Sequence, residues 1–266
     1  MVKLSQGLYL LKRVNWVMVE TSHPGNFGAS VRALKNMGCS PPILVDPTRN
    51  GIINSKEAYD RAAGASECLQ KVRVISLDEA IGNSNRVIAF TSRNRSNSLP
   101  VLSLEESLNM IFATLTDNET TEISLVFGGE TNGLKNADIL RCTSICHLEA
   151  DNVYPSLNLS HAIQVVSFCL RSKLRSKNFA TGLGTSLPGL KLGQQYQSNS
   201  AELVSQKKIT ALETKILSIA DKLYFRSPER PGKIAERLRK ILVTPEVSER
   251  DVRLLDAFFS EIINKL

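Results

Sequence analysis

No two cysteines in this chain of 266 residues stand at the two-residue spacing of a zinc ribbon or a thiol redox motif. The five present (Cys39, Cys68, Cys142, Cys146 and Cys169) are scattered and odd in number. That is the pattern of packed free thiols in a reducing compartment, so a cytoplasmic location is expected. Three histidines are too few and too scattered for a metal centre, and no metal is expected. No apolar run approaches the length of a membrane span. The N-terminal segment carries Lys3, Lys12 and Arg13 without a long apolar core followed by a cleavage site. Neither a membrane partner nor a secretory signal is expected. The glycine fingerprint of a dinucleotide site is missing as well: around Gly128 the spacing is wrong, and Glu130 would oppose a pyrophosphate.

What remains is an ordinary globular composition, 42% hydrophobic and 22% charged. The length allows one large domain, or one of normal size with a small appendage. Thirty-three Lys and Arg against 26 Asp and Glu leave a net charge of +7, a balance that suits an anionic partner, nucleic acid first.

Short apolar runs at 16–19, 43–45, 72–75, 87–90, 123–127 and 145–148 read as six strands, each followed by a turn cluster or a helical stretch. Ser76 is the cap of a short helix over 77–81. Strands without polar alternation, separated by helices, make a parallel sheet covered on both faces. In such sheets ligands sit at the carboxyl ends of the strands, which places the elaborate loops after strands one, four, five and six together. The expected α/β domain spans 1–177. A Gly- and Ser-rich linker follows over 178–200. An all-helical extension over 201–266 comes last, with helices over 203–224, 233–242 and 249–263. Its middle is basic: Arg226, Arg230, Lys233, Arg237, Arg239 and Lys240 face only Glu229 and Glu236. Lys233, Arg237 and Lys240 share one helical face, either solvated or in contact with RNA.

Three loops carry unusual chemistry. In residues 21–32, Asn26 is either a helix cap or part of a ligand approach. Gly28 there permits either close packing or a ligand's approach, and Arg32 is a surface residue or reaches the same mouth. In residues 128–134, Glu130 either sits near a helix start, where the dipole favours it, or faces a cationic or hydroxyl-rich ligand. The third loop ends in Tyr154-Pro155-Ser156-Leu157-Asn158-Leu159. It opens a helix in which Leu159, Ala162, Ile163, Val166 and Leu170 form a buried stripe.

Asn26-x-Gly28-x-x-x-Arg32, Phe127-Gly128-x-Glu130-x-x-Gly133-Leu134 and Ser156-Leu157-Asn158-Leu159 resemble, in order, the three motifs of the SPOUT superfamily of RNA methyltransferases. The resemblance is closest to its TrmJ branch, bacterial tRNA 2'-O-methyltransferases that act on the first nucleotide of the anticodon loop. Residues 19–26 and 154–158 are near-verbatim for that branch, and the linker and basic tail fit it too. Two features depart and bear on nucleotide choice: the position of Gly129 is often Arg there, and the loop after strand four, which carries Arg95, is one residue longer.

The resemblance implies a parallel sheet with a C-terminal trefoil knot, a fold that general rules of connectivity would not suggest. It implies S-adenosylmethionine as methyl donor, held by Thr91, Ser92, Arg93, Gly128, Glu130, Leu148, Pro155, Ser156 and Leu157. For the transfer it implies Arg32 as the activating group; since an arginine is a poor base, Arg32 is expected to hold phosphate and hydroxyl in position. Tyr154, Ser156 and Asn158 would assist, and Asn26 would brace the loop. The resemblance implies a homodimer whose active site is completed across the interface. Arg95 and the tail residues Arg226, Arg230, Lys233, Arg237 and Lys240 would bind tRNA. Alternatives are the same chemistry on another tRNA position or on ribosomal RNA, or a knotted RNA-binding protein without catalysis.

Overall fold

The computed structural model describes residues 6–93, 99–117, 119–151, 153–180, 204–222, 239, 242 and 249–265. Its centre is β1 (Val14–Val19), which carries no charged residue and is buried at five of its six positions. Such a strand needs cover on both faces, and it pairs in parallel with β2 (Ile43–Val45) and β6 (Ile123–Gly128). With β3 (Arg73–Val74), β4 (Arg86–Phe90), β5 (Val101–Leu102) and β7 (Ser144–Cys146), they form one sheet ordered β3-β2-β1-β6-β4-β7-β5, parallel throughout.

The sheet has one strand more than the sequence suggests. β5 is a half-exposed edge of two residues, too short to show any periodicity. Alternate side chains divide the sheet into two cores. Trp16, Met18, Ile88, Phe90, Leu125 and Phe127 face one side. There they meet α2 (Pro24–Met37), α5 (Leu104–Asp117) and α7 (Leu159–Ala180). Val17, Val19, Val87, Ala89 and Val126 face the other. Within these cores burial pushes the thiols of Cys39 and Cys142 up to about 12, and that of Cys146 to about 11.

The helix ends follow local chemistry. α4 (Leu77–Ile81) starts at Ser76, which forms a reciprocal capping box with Glu79. α2 starts one turn earlier than the polar cluster suggests: His23 is its N-cap, Pro24 fills the first position, and Asn26 lies inside the first turn. Asn26 is therefore not the cap, and its side chain is left for other work. α2 stops at Gly38, whose φ of 74° a side chain would resist. On α7 the stripe Leu159, Ile163, Val166 and Leu170 is at most 6% exposed. It is filled by the chain's own core and is not available to a second subunit.

The extension is not set apart from the sheet. Val204, together with Ile209 and Leu212 of α8 (Gln206–Lys222), is buried in the second core. Leu242 and Val252 lie there too, the latter on α9 (Glu249–Lys265). Of the linker expected over 178–200, residues 178–180 belong to the end of α7 and the rest lie outside the described residues. The tail residues Arg226, Arg230, Lys233, Arg237 and Lys240, and Arg95 of the loop after β4, lie outside the described residues.

Candidate active site

β1, β6, β4 and β7 end at the same edge, so the loops that follow them meet there. Val19 pairs with Gly128, which sets the first loop beside the second. Phe90 pairs with Phe127, and their rings stack at 4.6 Å with 9° between planes. These rings form one wall of a cleft. Thr91, Ser92 and Arg93 after β4, Gly128 and Glu130 after β6, and Leu148, Pro155, Ser156 and Leu157 after β7 line the rest. All nine residues assigned to the donor by resemblance thus share one cavity. Among the described residues no hydrogen bond engages the backbone N–H groups of Ser156 and Leu157, which leaves them free for a ligand.

Why the second loop turns so tightly is visible in its glycines. A Cβ on Gly128 would stand 2.2 Å from the backbone of Gly133 and Leu134. The loop closes on itself through a bridge between Gly129 and Gly133. Gly129 in turn rests on the first loop, where a Cβ would stand 2.2 Å from the carbonyl oxygen of Glu20. With this backbone no larger residue fits there. Glu20 itself has a φ of 52° and an ion pair with Lys135.

Glu130 ties the three loops together. Its Oε2 accepts from the backbone N–H of Ser22 at 3.0 Å and from the Ser22 hydroxyl at 2.9 Å. Its Oε1 accepts from Nδ2 of Asn26 at 2.9 Å. Oδ1 of Asn26 accepts from Nδ2 of Asn158, also at 2.9 Å. Oδ1 of Asn158 then caps α7, accepting from the backbone and hydroxyl of Ser160 at 2.9 and 2.7 Å. The sequence left Glu130 between a helix start and a ligand. Here both its oxygens are bonded to the first loop while the residue lines the cleft. Ser22 was not singled out by sequence; only its place in a polar turn hints at it.

Burial of Glu130 pushes its pKa up, but the hydrogen bonds from Ser22 and Asn26 outweigh this and hold it below the ordinary carboxylate value. A lowered folded pKa means that the brace is fully present above the unfolded value and is lost as pH falls through the folded one. Affinity for S-adenosylmethionine, the donor that the resemblance implies, is therefore expected to stay flat from about pH 6 to 8, well above the ordinary glutamate value of about 4.3, and to fall only in acid. Glu130→Gln is expected to weaken donor binding about tenfold, because one amide edge cannot accept all three bonds. Calorimetric titration across that range reads both outcomes.

The remaining assigned residues lie outside the cleft. Tyr154 is 79% exposed at its rim. Arg32 is exposed on α2, about 9 Å along the helix axis from Asn26 at 1.5 Å per residue. It has no hydrogen bond or ion pair among the described residues. The chain thus gathers the nine cleft residues and the Asn26–Asn158 brace but does not bring Arg32 into the cavity.

A model of the SpoU rRNA Methylase family matches residues 13–168, from the start of the sheet into α7. Over 256 residues the chain is 31% identical to "tRNA (cytidine/uridine/adenosine-2'-O-)-methyltransferase TrmJ" of Pseudomonas aeruginosa, covering 95% of this chain and 94% of that one. It is 28% identical over 257 residues to "tRNA (cytidine/uridine-2'-O-)-methyltransferase TrmJ" of Pectobacterium atrosepticum, covering 95% and 98%. The solved structure of TrmJ from Z. mobilis matches with a TM-score of 0.76 at 23% identity, over 93% of this chain and 98% of that one. A probable methyltransferase from Bordetella pertussis matches with a TM-score of 0.59 at 34% identity, over 63% of this chain and 99% of that one.

Proposed function

The chain belongs to the SpoU rRNA methylase family, and on that premise we propose that it methylates a ribose 2'-hydroxyl of tRNA, at a cytidine or uridine opening the anticodon loop. The observation that carries the reading is the Glu130–Asn26–Asn158 chain, which joins the loops after β1, β6 and β7 around one cleft. The choice of tRNA follows the names of the relatives from Pseudomonas and Pectobacterium.

The cleft suits S-adenosylmethionine. Stacked phenylalanines and Leu148 offer an apolar wall, and Thr91, Ser92 and the backbone of 156–157 offer polar partners. When bound, the donor supplies a methyl group on a sulfonium centre whose charge is consumed in the transfer. The chain's own residues have to place the accepting hydroxyl in line and keep water out. Arg32 is suited to hold the neighbouring phosphate through its planar fork, with Tyr154 and Ser156 closing on the nucleotide. Part of the same reading is a trefoil knot. The place of β7 in the sheet, between β4 and β5, supports it. A cytoplasmic place of action follows from tRNA as substrate.

A homodimer completes the proposal. On the solvent side of α7, Val165 and Phe168 are 40% and 57% exposed, and Val153 and Tyr154 of the loop before it are 91% and 79% exposed. This apolar face runs beside α2, which carries Arg32, so a second copy there brings Arg32 toward the opposite cleft. Phe168→Glu is expected to give a folded monomer that has lost at least about 90% of transfer, since a buried charge at an apolar interface costs several kcal/mol. Sedimentation and methylation assays check it, and a monomeric wild type would remove the dimer.

The test of the function is methylation of unmodified bulk tRNA with labelled donor, followed by nuclease mapping. Label on the first anticodon-loop nucleotide supports enzyme and substrate together. Label elsewhere keeps the chemistry and changes the substrate. Label on ribosomal RNA alone discards tRNA.

A further inference from the structure

Arg239 stands among the basic residues of the extension, yet it is 6% exposed and is the only charged residue fully buried among the described residues. Its guanidinium is engaged on every side. Nε donates to the carbonyl oxygen of Leu140, and Nη2 donates to that of Arg141 at 3.1 Å and to Oε1 of Gln206 at 3.3 Å. Nη1 pairs with Oε2 of Glu213 at 2.6 Å, the two side chains being 8% and 15% exposed. Glu213 and Gln206 belong to α8. The N-terminal end of α8 is itself bonded to the turn before β4, through Gln206 N–H to Ser84 and Lys207 N–H to Gly82, both at 2.9 Å.

The position of the two carbonyls matters. Leu140 and Arg141 lie between α6 (Asn136–Ile139) and β7, on the segment that leads from the cleft's second loop to its third. Adhesion alone does not need a cation here, because well-packed apolar residues hold buried faces together as well or better. A guanidinium fork adds direction: it accepts only an arrangement in which α8, Glu213 and both carbonyls stand at fixed angles.

We propose that Arg239 is a positioning residue for the RNA substrate, setting the helical extension at a fixed angle on the segment that joins two loops of the catalytic cleft. It rests on the reading of the extension as a tRNA grip. The extension is then a rigid jig and not a tethered hand: α8, fixed through Glu213 and Gln206 on the segment between the two loops, presents the RNA to the cleft in one orientation.

The variant that tests this in the full-length chain is Arg239→Lys. An ammonium keeps a charge beside Glu213 but cannot reach both carbonyls from one rigid plane. Affinity for tRNA is expected to fall about tenfold, with donor affinity, and kcat at saturating tRNA, within about twofold of wild type. Amide exchange at 140–143 and along α8 is expected to quicken. Glu213→Gln, which keeps the shape and removes the charge, is expected to shift tRNA affinity in the same direction and serves if the lysine variant does not fold. A purely structural role would lower the melting temperature and leave tRNA affinity unchanged in the folded protein, and that result overturns the proposal. Binding is read separately from methylation. A wild type that binds tRNA without methylating it therefore defeats the functional reading and leaves this one to be decided by the affinities.

Discussion

Arg32→Ala is expected to lower kcat by about 10²- to 10³-fold, the usual loss when one group that stabilises or positions the reacting atoms is removed. Affinity for S-adenosylmethionine is expected to stay within about twofold, because Arg32 does not line the cleft. It sits exposed on α2 and forms no hydrogen bond or ion pair among the described residues. Without a partner among the described residues, this guanidinium is available to the phosphate of an incoming nucleotide. Arg32→Lys is expected to recover only part of the rate, since a point charge lacks the fork that fixes a phosphate in two directions. Single-turnover methylation beside calorimetric titration separates the two effects. Full activity in the alanine variant would end the assigned role. Mixing chains that carry Arg32→Ala with chains that carry Leu157→Arg in the cleft gives a further result. If Arg32 serves the partner's cleft, the mixture regains activity that neither variant has alone.

The sequence shows the sheet and the cleft where chemistry leaves a local trace. The stripe of α7 is legible because Leu159, Ile163, Val166 and Leu170 recur at helical spacing, and those residues are buried. The central strands are legible as apolar runs closed by turns. β5 is not, since Val101 and Leu102 form a two-residue edge with no pattern to read. Neither is the helix start at His23: Asn26 is the better cap by type, but Pro24 at the first position moves the boundary forward. Glu130 shows a deeper limit. Its partners Ser22 and Asn26 are more than a hundred positions away, and only the parallel pairing of β1 with β6 brings them to it. Arg239 shows the same limit, as its charge is visible in sequence and its partners Leu140, Arg141 and Glu213 are not.

Gly28→Ala is expected to destabilise the protein by about 3 kcal/mol, near the upper end for overpacking a close contact. Two effects oppose each other at this site. Inside a helix alanine is better than glycine by about 1 kcal/mol, so an exposed position would gain stability. At Gly28 the new Cβ would stand 2.2 Å from the carbonyl oxygen of Ala58, and 2.9 and 3.0 Å from its C and Cα. Those atoms are backbone of α3 (Lys56–Ala62), so no side chain can turn aside; one helix has to move from the other. Phe27 and Val31 flank the contact on α2, both at most 1% exposed, and leave no slack. The steric cost therefore exceeds the propensity gain, and the melting temperature is expected to fall by roughly 6–12 °C for a domain of this size. A shift of α2 also carries Asn26 away from Glu130 and Asn158, so donor affinity is expected to fall in the same variant. Thermal unfolding with and without S-adenosylmethionine reads both effects. A melting temperature equal to or above that of wild type would mean that α2 and α3 stand farther apart than this contact requires. Gly28 would then be open to the other role its motif suggests, an approach for the ligand itself.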